Sequence, residues 1–194
     1  PRHCIAGFSV TPSVCAPHGT ITPGKGWKRA GEGRKSMQLT LLTVGTVKEP
    51  YLREALAEYV KRIGSLADFR EVSIPETRIT DEDDPKKVGA ALRAEGEKLL
   101  AAAPRDAYRI ALCVEGREYT SEELAACLRS AGDARGKIAL FIGSSHGLSP
   151  EVKAACDLRL SFSRLTFPHQ LMRVMVAESL YRSLTIIAGK KYHK

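Results

Sequence analysis

From residue 37 onward, short apolar runs alternate with stretches whose apolar residues recur at helical spacing. Gln38–Val44 (QLTLLTV) is typical of a buried strand that closes at Gly45. Residues 51–63 place Leu56, Val60 and Ile63 on one helical face, after Pro50. The pattern then predicts a strand over 71–74, a helix over 86–102 after the acidic turn 81–84, and a strand over 109–114.

The second half continues the alternation. Thr120 and Glu123 form a capping-box pattern that predicts a helix through about residue 129. A strongly apolar strand over 137–142 is followed by Ser149 and Pro150 at a helix start, a strand over 158–162 and a helix over 168–184. This order predicts an α/β fold with a mostly parallel sheet flanked by helices.

The first 36 residues differ from the rest. They hold six of the 16 glycines and four of the 10 prolines, with no helical or alternating period. We therefore expect a disordered extension outside the native fold, and one domain over residues 37–194. Met37 would be the natural start, although an organellar transit peptide is the alternative interpretation.

Charge, hydropathy and cysteine usage limit which classes of protein the chain can belong to. The net charge is +8, but residues 1–36 supply +5 of it, so the remaining chain is only mildly basic. No apolar run approaches a membrane span and no secretory signal is visible, which favours a cytoplasmic protein with no membrane partner. Zinc binding through His3, Cys4, Cys15 and His18 matches no standard module, and we expect no metal and no disulfide framework.

Residues 141–150 (FIGSSHGLSP) join a buried strand to a helix start through a loop of small residues. Gly143 and Gly147 allow close backbone approach, and amides beside a helix start can hold a polar group. The alternative is an ordinary turn. The loop is neither a Walker motif nor a dinucleotide fingerprint.

The last 37 residues carry further candidates. In residues 163–170 (SRLTFPHQ), Pro168 would begin a helix and leave the peptide groups of 165–167 available to a ligand, unless this is an ordinary connection. The helix is apolar on more than one face, which fits either a second subunit or core packing. Glu178 and Arg182 are spaced as a surface ion pair, and His169 could be a helix-cap residue.

The chain ends in GKKYHK, which combines lysines with an aromatic ring and an imidazole. Such a tail can contact phosphate, stack on a base and handle a proton. Frayed basic tails without function are nevertheless more common.

Together these residues resemble the bacterial large-subunit ribosomal RNA methyltransferase H family, a small SPOUT class. The resemblance rests on LTLLTVGTVKEPYLREALAEYVKRI, IALCVEGREYTSEELA, FIGSSHGLSP and LTFPHQLMRVMVAESLYRSLTIIAGKKYHK, in this order between residues 37 and 194. It implies a SPOUT-type α/β fold with a deep C-terminal trefoil knot, and a homodimer. Residues 1–36 have no counterpart in it.

The resemblance also implies a function and a site. Members methylate N3 of a pseudouridine in 23S ribosomal RNA on the assembled ribosome, with S-adenosyl-L-methionine as donor. The implied cofactor residues are those of the knot-forming turns: Leu112, Gly143, Ser144, Ser163, Arg164, Leu165, Thr166, Phe167 and Pro168.

The remaining site residues lie near the end of the chain. We expect His193, with Tyr192, to complete the catalytic site from the partner subunit, and Arg182, Lys190, Lys191 and Lys194 to bind RNA. The family typically carries a second glycine directly after Gly143, where this chain has Ser144, followed by Ser145 and His146. Alternatives are another RNA target, such as tRNA, or a noncatalytic ribosome-binding factor.

Overall fold

The computed structural model describes residues 37–192. Strands and helices alternate in the order β1 (Gln38–Val44), α1 (Pro50–Gly64), β2 (Asp68–Ile74), α2 (Pro85–Ala102), β3 (Tyr108–Glu118), α3 (Ser121–Arg135), β4 (Lys137–Ile142), α4 (Pro150–Ala154), β5 (Leu158–Ser161) and α5 (His169–Ile187). The predicted extension over residues 1–36, and the predicted site residues His193 and Lys194, lie outside the described residues.

The five strands form one sheet in the order β2-β1-β4-β3-β5. Each of its strand pairs is parallel, with β1 and β4 aligned so that Leu41 lies opposite Leu140. Helices α1, α3 and α5 pack together on one face, and α2 and α4 on the other. The predicted parallel α/β architecture is confirmed.

Helices on both faces explain why β4 is apolar after its first residue, Lys137. Ile138, Leu140 and Ile142 point into the core under α1, α3 and α5, while Ala139 and Phe141 point into the core under α2 and α4. Successive side chains of a strand alternate between faces, so a strand covered on both sides has no solvent-facing position. All five residues are buried.

Local capping follows the sequence closely. The Thr120 side chain accepts a hydrogen bond from the Glu123 amide, and the Glu123 carboxylate accepts one from the Thr120 amide, so the predicted capping box is confirmed. Ser149 caps α4 by accepting from the Val152 amide. Helix α3 runs six residues beyond its predicted end and stops at Gly136, whose φ of 69° favours glycine.

Strand β3 is where the sequence prediction is most in error. It continues to Glu118 rather than ending near residue 114. Leu112 and Arg117 both lie opposite Leu160 of β5, so residues 113–116 leave the ladder as a bulge. The bulge separates residues 113–116 from β5 near the carboxyl ends of the strands, where the cavity described below lies.

Candidate functional site

A cavity of about 310 Å³ lies at the carboxyl edge of the sheet. Three segments surround it: the β3 bulge, the loop between β4 and α4, and the loop between β5 and α5. The carboxyl ends of parallel strands share one edge, so loops distant in sequence meet there. The first turn of α5 closes one side through His169 and Met172.

The loop after β4 is tight, and its glycines are required. A Cβ at Gly143 would collide with the carbonyl of Gly147. Gly147 has a φ of +86°, a conformation that other residues rarely adopt. Its amide donates to the Ser144 carbonyl at 3.0 Å, which closes the turn. The loop therefore turns tightly where it lines the cavity, and it has no side chain at Gly143 and Gly147.

The loop after β5 is held by its own serines. Ser161 Oγ donates to the Ser163 carbonyl at 3.0 Å, and the Leu165 amide donates to Ser163 Oγ at 3.1 Å. Leu165 itself is 69% exposed at the cavity. The cavity has both apolar and polar lining residues. An exposed leucine at its edge is suited to pack against an aromatic ring of a bound ligand.

An ion pair stands in the wall formed by the bulge. Lys153 of α4 contacts the Glu115 carboxylate at 2.5 Å. The hydrogen bond from Lys153 lowers the pKa of Glu115, which stays ionised. Burial raises the pKa of the neighbouring Cys113 thiol, so this cysteine lines the cavity as a neutral group.

Hydrogen bonds fix the start of α5 to the end of β1 and to the segment that follows it. The Lys48 amide donates to Gln170 Oε1 at 2.7 Å. Arg173, only 1% exposed, donates to the carbonyls of Val44 and Gly45 and lies 3.7 Å from Glu71. These contacts hold the first turn of α5 against the end of β1.

His169 is thereby placed at the cavity in a neutral state. Burial lowers the pKa of its imidazole, and the nearby positive charge of Arg173 lowers it further. A neutral imidazole at the cavity can accept a proton. The expectation of a plain helix-cap residue left this possibility out.

The structure brings together most of the predicted cofactor residues. Those that line the cavity are Leu112, Gly143, Ser144, Ser163, Leu165, Thr166 and Phe167. Arg164 and Pro168 belong to the same loop but are not among the lining residues. Leu112 lies within β3, at the point where this strand leaves its ladder with β5.

The described part of the tail lies elsewhere on the molecule. The Tyr192 ring packs edge-on against Tyr181, with centroids 4.8 Å apart, and Arg182 lies 5.0 Å above it. Glu178 accepts a hydrogen bond from Arg182, so the predicted pair is present. None of these residues lines the cavity of the same chain. Lys190 and Lys191 are exposed beside them.

Several lining residues were missed by the sequence interpretation, among them Cys113, Glu115, Lys153 and Met172. The bulge residues carry no local signal, because a bulge depends on pairing with β5. Lys153 has the appearance of an ordinary surface residue on a short helix.

Two further observations on residues 37–192 concern membranes and metal ions. No helix there is long and apolar enough to cross a membrane. Nor do these residues contain a group of three or more histidines, cysteines or acids placed to hold a metal ion. The zinc arrangement weighed from the sequence falls outside the described residues.

Known proteins resemble the chain over the same region. The family model described as "Predicted SPOUT methyltransferase" matches residues 37–193. Proteins named "Ribosomal RNA large subunit methyltransferase H" from Shouchella clausii and Bifidobacterium adolescentis are 42% and 44% identical, each over 81% of this chain and 100% of their own length. The namesake from Exiguobacterium sibiricum is 40% identical with the same coverage.

Proposed function

The chain belongs to the SPOUT methyltransferase family, and from this membership we propose that it methylates N3 of a pseudouridine in 23S ribosomal RNA. One observation carries the proposal: three separate chain segments meet around one cavity at the carboxyl edge of the sheet. The relatives named as large subunit methyltransferases match over their full length, which supports a ribosomal RNA substrate.

The cavity suits S-adenosyl-L-methionine, which would supply the reactive methyl group. Its volume of about 310 Å³ lies at the lower end of the range typical of small-molecule sites. The close contact between Gly143 and Gly147 brings bare peptide groups to the wall. We assign cofactor binding to Leu112, Gly143, Ser144 and the loop 163–168, with Arg164 and Pro168 shaping that loop.

Among the described residues, the tail predicted to act on the acceptor base is not found at the cavity of its own chain. Tyr192 packs on α5 beside Tyr181, away from the cavity. We therefore propose a homodimer in which the tail of the partner subunit brings Tyr192 and His193 to the site. The turns that line the cavity would be those of a trefoil knot.

Within this site His193 would take the proton from N3, because an imide nitrogen must lose its proton before it attacks a methyl group. Tyr192 would stack on the base. Arg182, Lys190, Lys191 and Lys194 would contact RNA phosphates on the assembled ribosome in the cytoplasm. Shape recognition of the ribosome is compatible with the small excess charge of residues 37–194.

The direct test uses labelled S-adenosyl-L-methionine and ribosomes that lack the modification. We expect one labelled methyl group in 23S ribosomal RNA, located by mass spectrometry at N3 of a pseudouridine. Methylation of tRNA instead would overturn the substrate. Cofactor binding without methylation of any RNA would favour a noncatalytic ribosome-binding factor.

A further inference from the structure

Among the described residues, the cavity at the carboxyl edge of the sheet is lined by five ionisable side chains, those of Cys113, Glu115, His146, Lys153 and His169. Four of them are accounted for. Glu115 and Lys153 form an ion pair, and burial raises the pKa of the Cys113 thiol, which stays neutral. His146 is exposed and hydrogen-bonds the hydroxyl group of the preceding residue. His169 remains, and the proposed function does not use it.

The His169 imidazole is held at the cavity wall, yet its ring has no hydrogen-bond partner within residues 37–192. Its neighbours on α5 fix the turn instead. Gln170 Oε1 accepts from the Lys48 amide at 2.7 Å, and Arg173 donates to carbonyls at the end of β1. The ring is therefore positioned by contacts of other residues, and it can hydrogen-bond a ligand without losing one of its own.

The surroundings of His169 keep its ring uncharged. Burial lowers the pKa of the imidazole, and the positive charges of Arg173 and Lys48 lower it further, whereas the carboxylate of Glu76 acts in the opposite direction. His169 is also the first residue of α5, where the partial positive charge of a helix start disfavours a cation. A neutral imidazole has one N–H donor and one nitrogen acceptor.

The position of His169 favours the acceptor base as its ligand. The residue lies at the edge of the cavity next to the loop between β1 and α1, since the adjacent Gln170 bonds Lys48 of that loop. Lys48 is exposed and does not line the cavity, and Tyr51, three residues further, is 65% exposed. A lysine can contact a phosphate and a tyrosine can stack on a base. RNA that reaches the cavity past this edge brings its acceptor base to His169.

We propose that His169 is a further catalytic residue, which donates a hydrogen bond to a carbonyl oxygen of the acceptor base beside the reacting nitrogen. This inference rests on the proposed function. When N3 loses its proton to His193, the negative charge spreads onto the carbonyl oxygens on either side of N3. A donor already in place stabilises this charge without rearrangement. His169 keeps its own proton, and the methyl group passes from the sulfur of the donor to N3.

The test measures single-turnover methylation of ribosomes that lack the modification, with S-adenosyl-L-methionine at a saturating concentration. His169→Leu removes the hydrogen-bond donor and should lower the rate constant about 100-fold, as is typical when one donor to a developing oxyanion is lost. His169→Gln keeps a neutral N–H donor and should be at least about tenfold faster than His169→Leu. His169→Phe serves as a second variant without a donor in case the leucine variant does not fold.

Cofactor affinity is measured beside the rate. The affinity for S-adenosylhomocysteine, the demethylated form of the donor, should stay within about twofold in each variant by isothermal titration calorimetry, because an interaction with the acceptor base leaves donor binding unchanged. Lys98→Leu is the control, since Lys98 is an exposed residue of α2 that does not line the cavity. It should change neither the rate nor the affinity.

A pH profile separates this role from a merely structural one. A hydrogen bond to the deprotonated base favours that form and lowers the pKa at which N3 loses its proton. Without this bond a higher pH is needed, so the defect of His169→Leu should become smaller between pH 7 and pH 9. A variant whose site was only distorted would be slowed by the same factor at both pH values.

The outcomes separate this inference from the function on which it rests. An unchanged rate in His169→Leu, or an equal loss in His169→Gln, would overturn the role of His169 and leave the methyltransferase function in place. A loss of cofactor affinity as large as the loss of rate would assign His169 to the methyl donor and overturn the inference as well. Failure of the unaltered protein to methylate a pseudouridine in 23S ribosomal RNA would overturn the proposed function itself.

Discussion

Single residues decide whether the site can form, and Gly143 is the clearest case. Its environment is crowded by backbone rather than by a movable side chain, since the carbonyl of Gly147 occupies the position of a Cβ. The loop cannot make room without losing the hydrogen bond from the Gly147 amide to the Ser144 carbonyl that closes its turn. The sequence indicated two useful glycines here, but it did not show which contact makes the first one necessary.

Gly143→Ala should therefore lower the affinity for S-adenosylhomocysteine by tenfold or more, measured by calorimetry, because the added methyl group must displace the turn. Gly64→Ala is the control, since a Cβ there has no neighbour within 4 Å. Unchanged affinity in Gly143→Ala would show that the loop is not part of the cofactor wall.

His169 provides a residue-scale prediction about pH. Its folded-state pKa lies below the ordinary value of 6.5, so the unfolded chain binds the proton more readily. The contribution of the neutral His169 side chain to the free energy of unfolding is therefore fully present above pH 6.5. It is lost as the pH falls from there toward the folded-state pKa. We expect the melting temperature to fall from pH 7.5 to 5.5, and to fall less in His169→Gln. A decline of the same size in both proteins would contradict this linkage.

At the scale of elements, the central contact joins α5 to the end of β1. Arg173 of α5 is buried and donates hydrogen bonds to the carbonyls of Val44 and Gly45 at the end of β1. Helical periodicity suggested apolar packing along this helix, and an arginine in the sequence normally indicates solvent. Its burial depends on the carbonyls of β1 and on Glu71 of β2, which only the assembled sheet supplies.

Arg173→Leu should lower the free energy of unfolding by roughly 3 kcal/mol, because it leaves carbonyls and the Glu71 carboxylate without a partner. Chemical denaturation monitored by circular dichroism measures this loss. The exposed Arg105→Leu should change stability by less than about 0.5 kcal/mol. Similar effects of the two substitutions would mean that the buried contact contributes little.

The sequence predicted the strands and helices well where the signal was local. β1 and β4 were predicted at their observed bounds, and the Thr120 capping box was correct. The β3 bulge was missed because pairing with β5 creates it, across more than 40 residues. The ion pair of Glu115 and Lys153 in the cavity wall was missed for the same reason, because it joins residues distant in sequence.

For the whole molecule, the separation between the cavity and Tyr192 is the feature that bears on how the site is assembled. Tyr192, Tyr181 and Tyr59 form an aromatic surface where α5 lies beside α1, and Arg62 and Arg182 lie over these rings. A site assembled from two subunits accounts for a tail whose described part, through Tyr192, does not line the cavity of its own chain. The resemblance stated from the sequence anticipated this arrangement, and it stays a prediction.

A complementation experiment tests it. A chain truncated after Gly189 should bind cofactor but not methylate, and a full-length Gly143→Val chain should do neither. Co-produced, the two should recover part of the activity, because one hybrid site joins an intact cavity to an intact tail. Each variant produced alone is the control. No recovery despite hybrid dimers seen by native mass spectrometry would show that each tail serves its own cavity.

The position of β5 at the sheet edge also bears on synthesis of the chain. Strand β3 emerges from the ribosome long before β5 and α5, which shape its bulge and close the cavity. A nascent chain synthesised only as far as β4 can pair β1, β2, β3 and β4. It still lacks the loop after β5 and the start of α5, which complete the ligand cavity. The capacity to take up the donor therefore arrives late in translation, together with the packing of β5 on β3 and of α5 on α1 and α3.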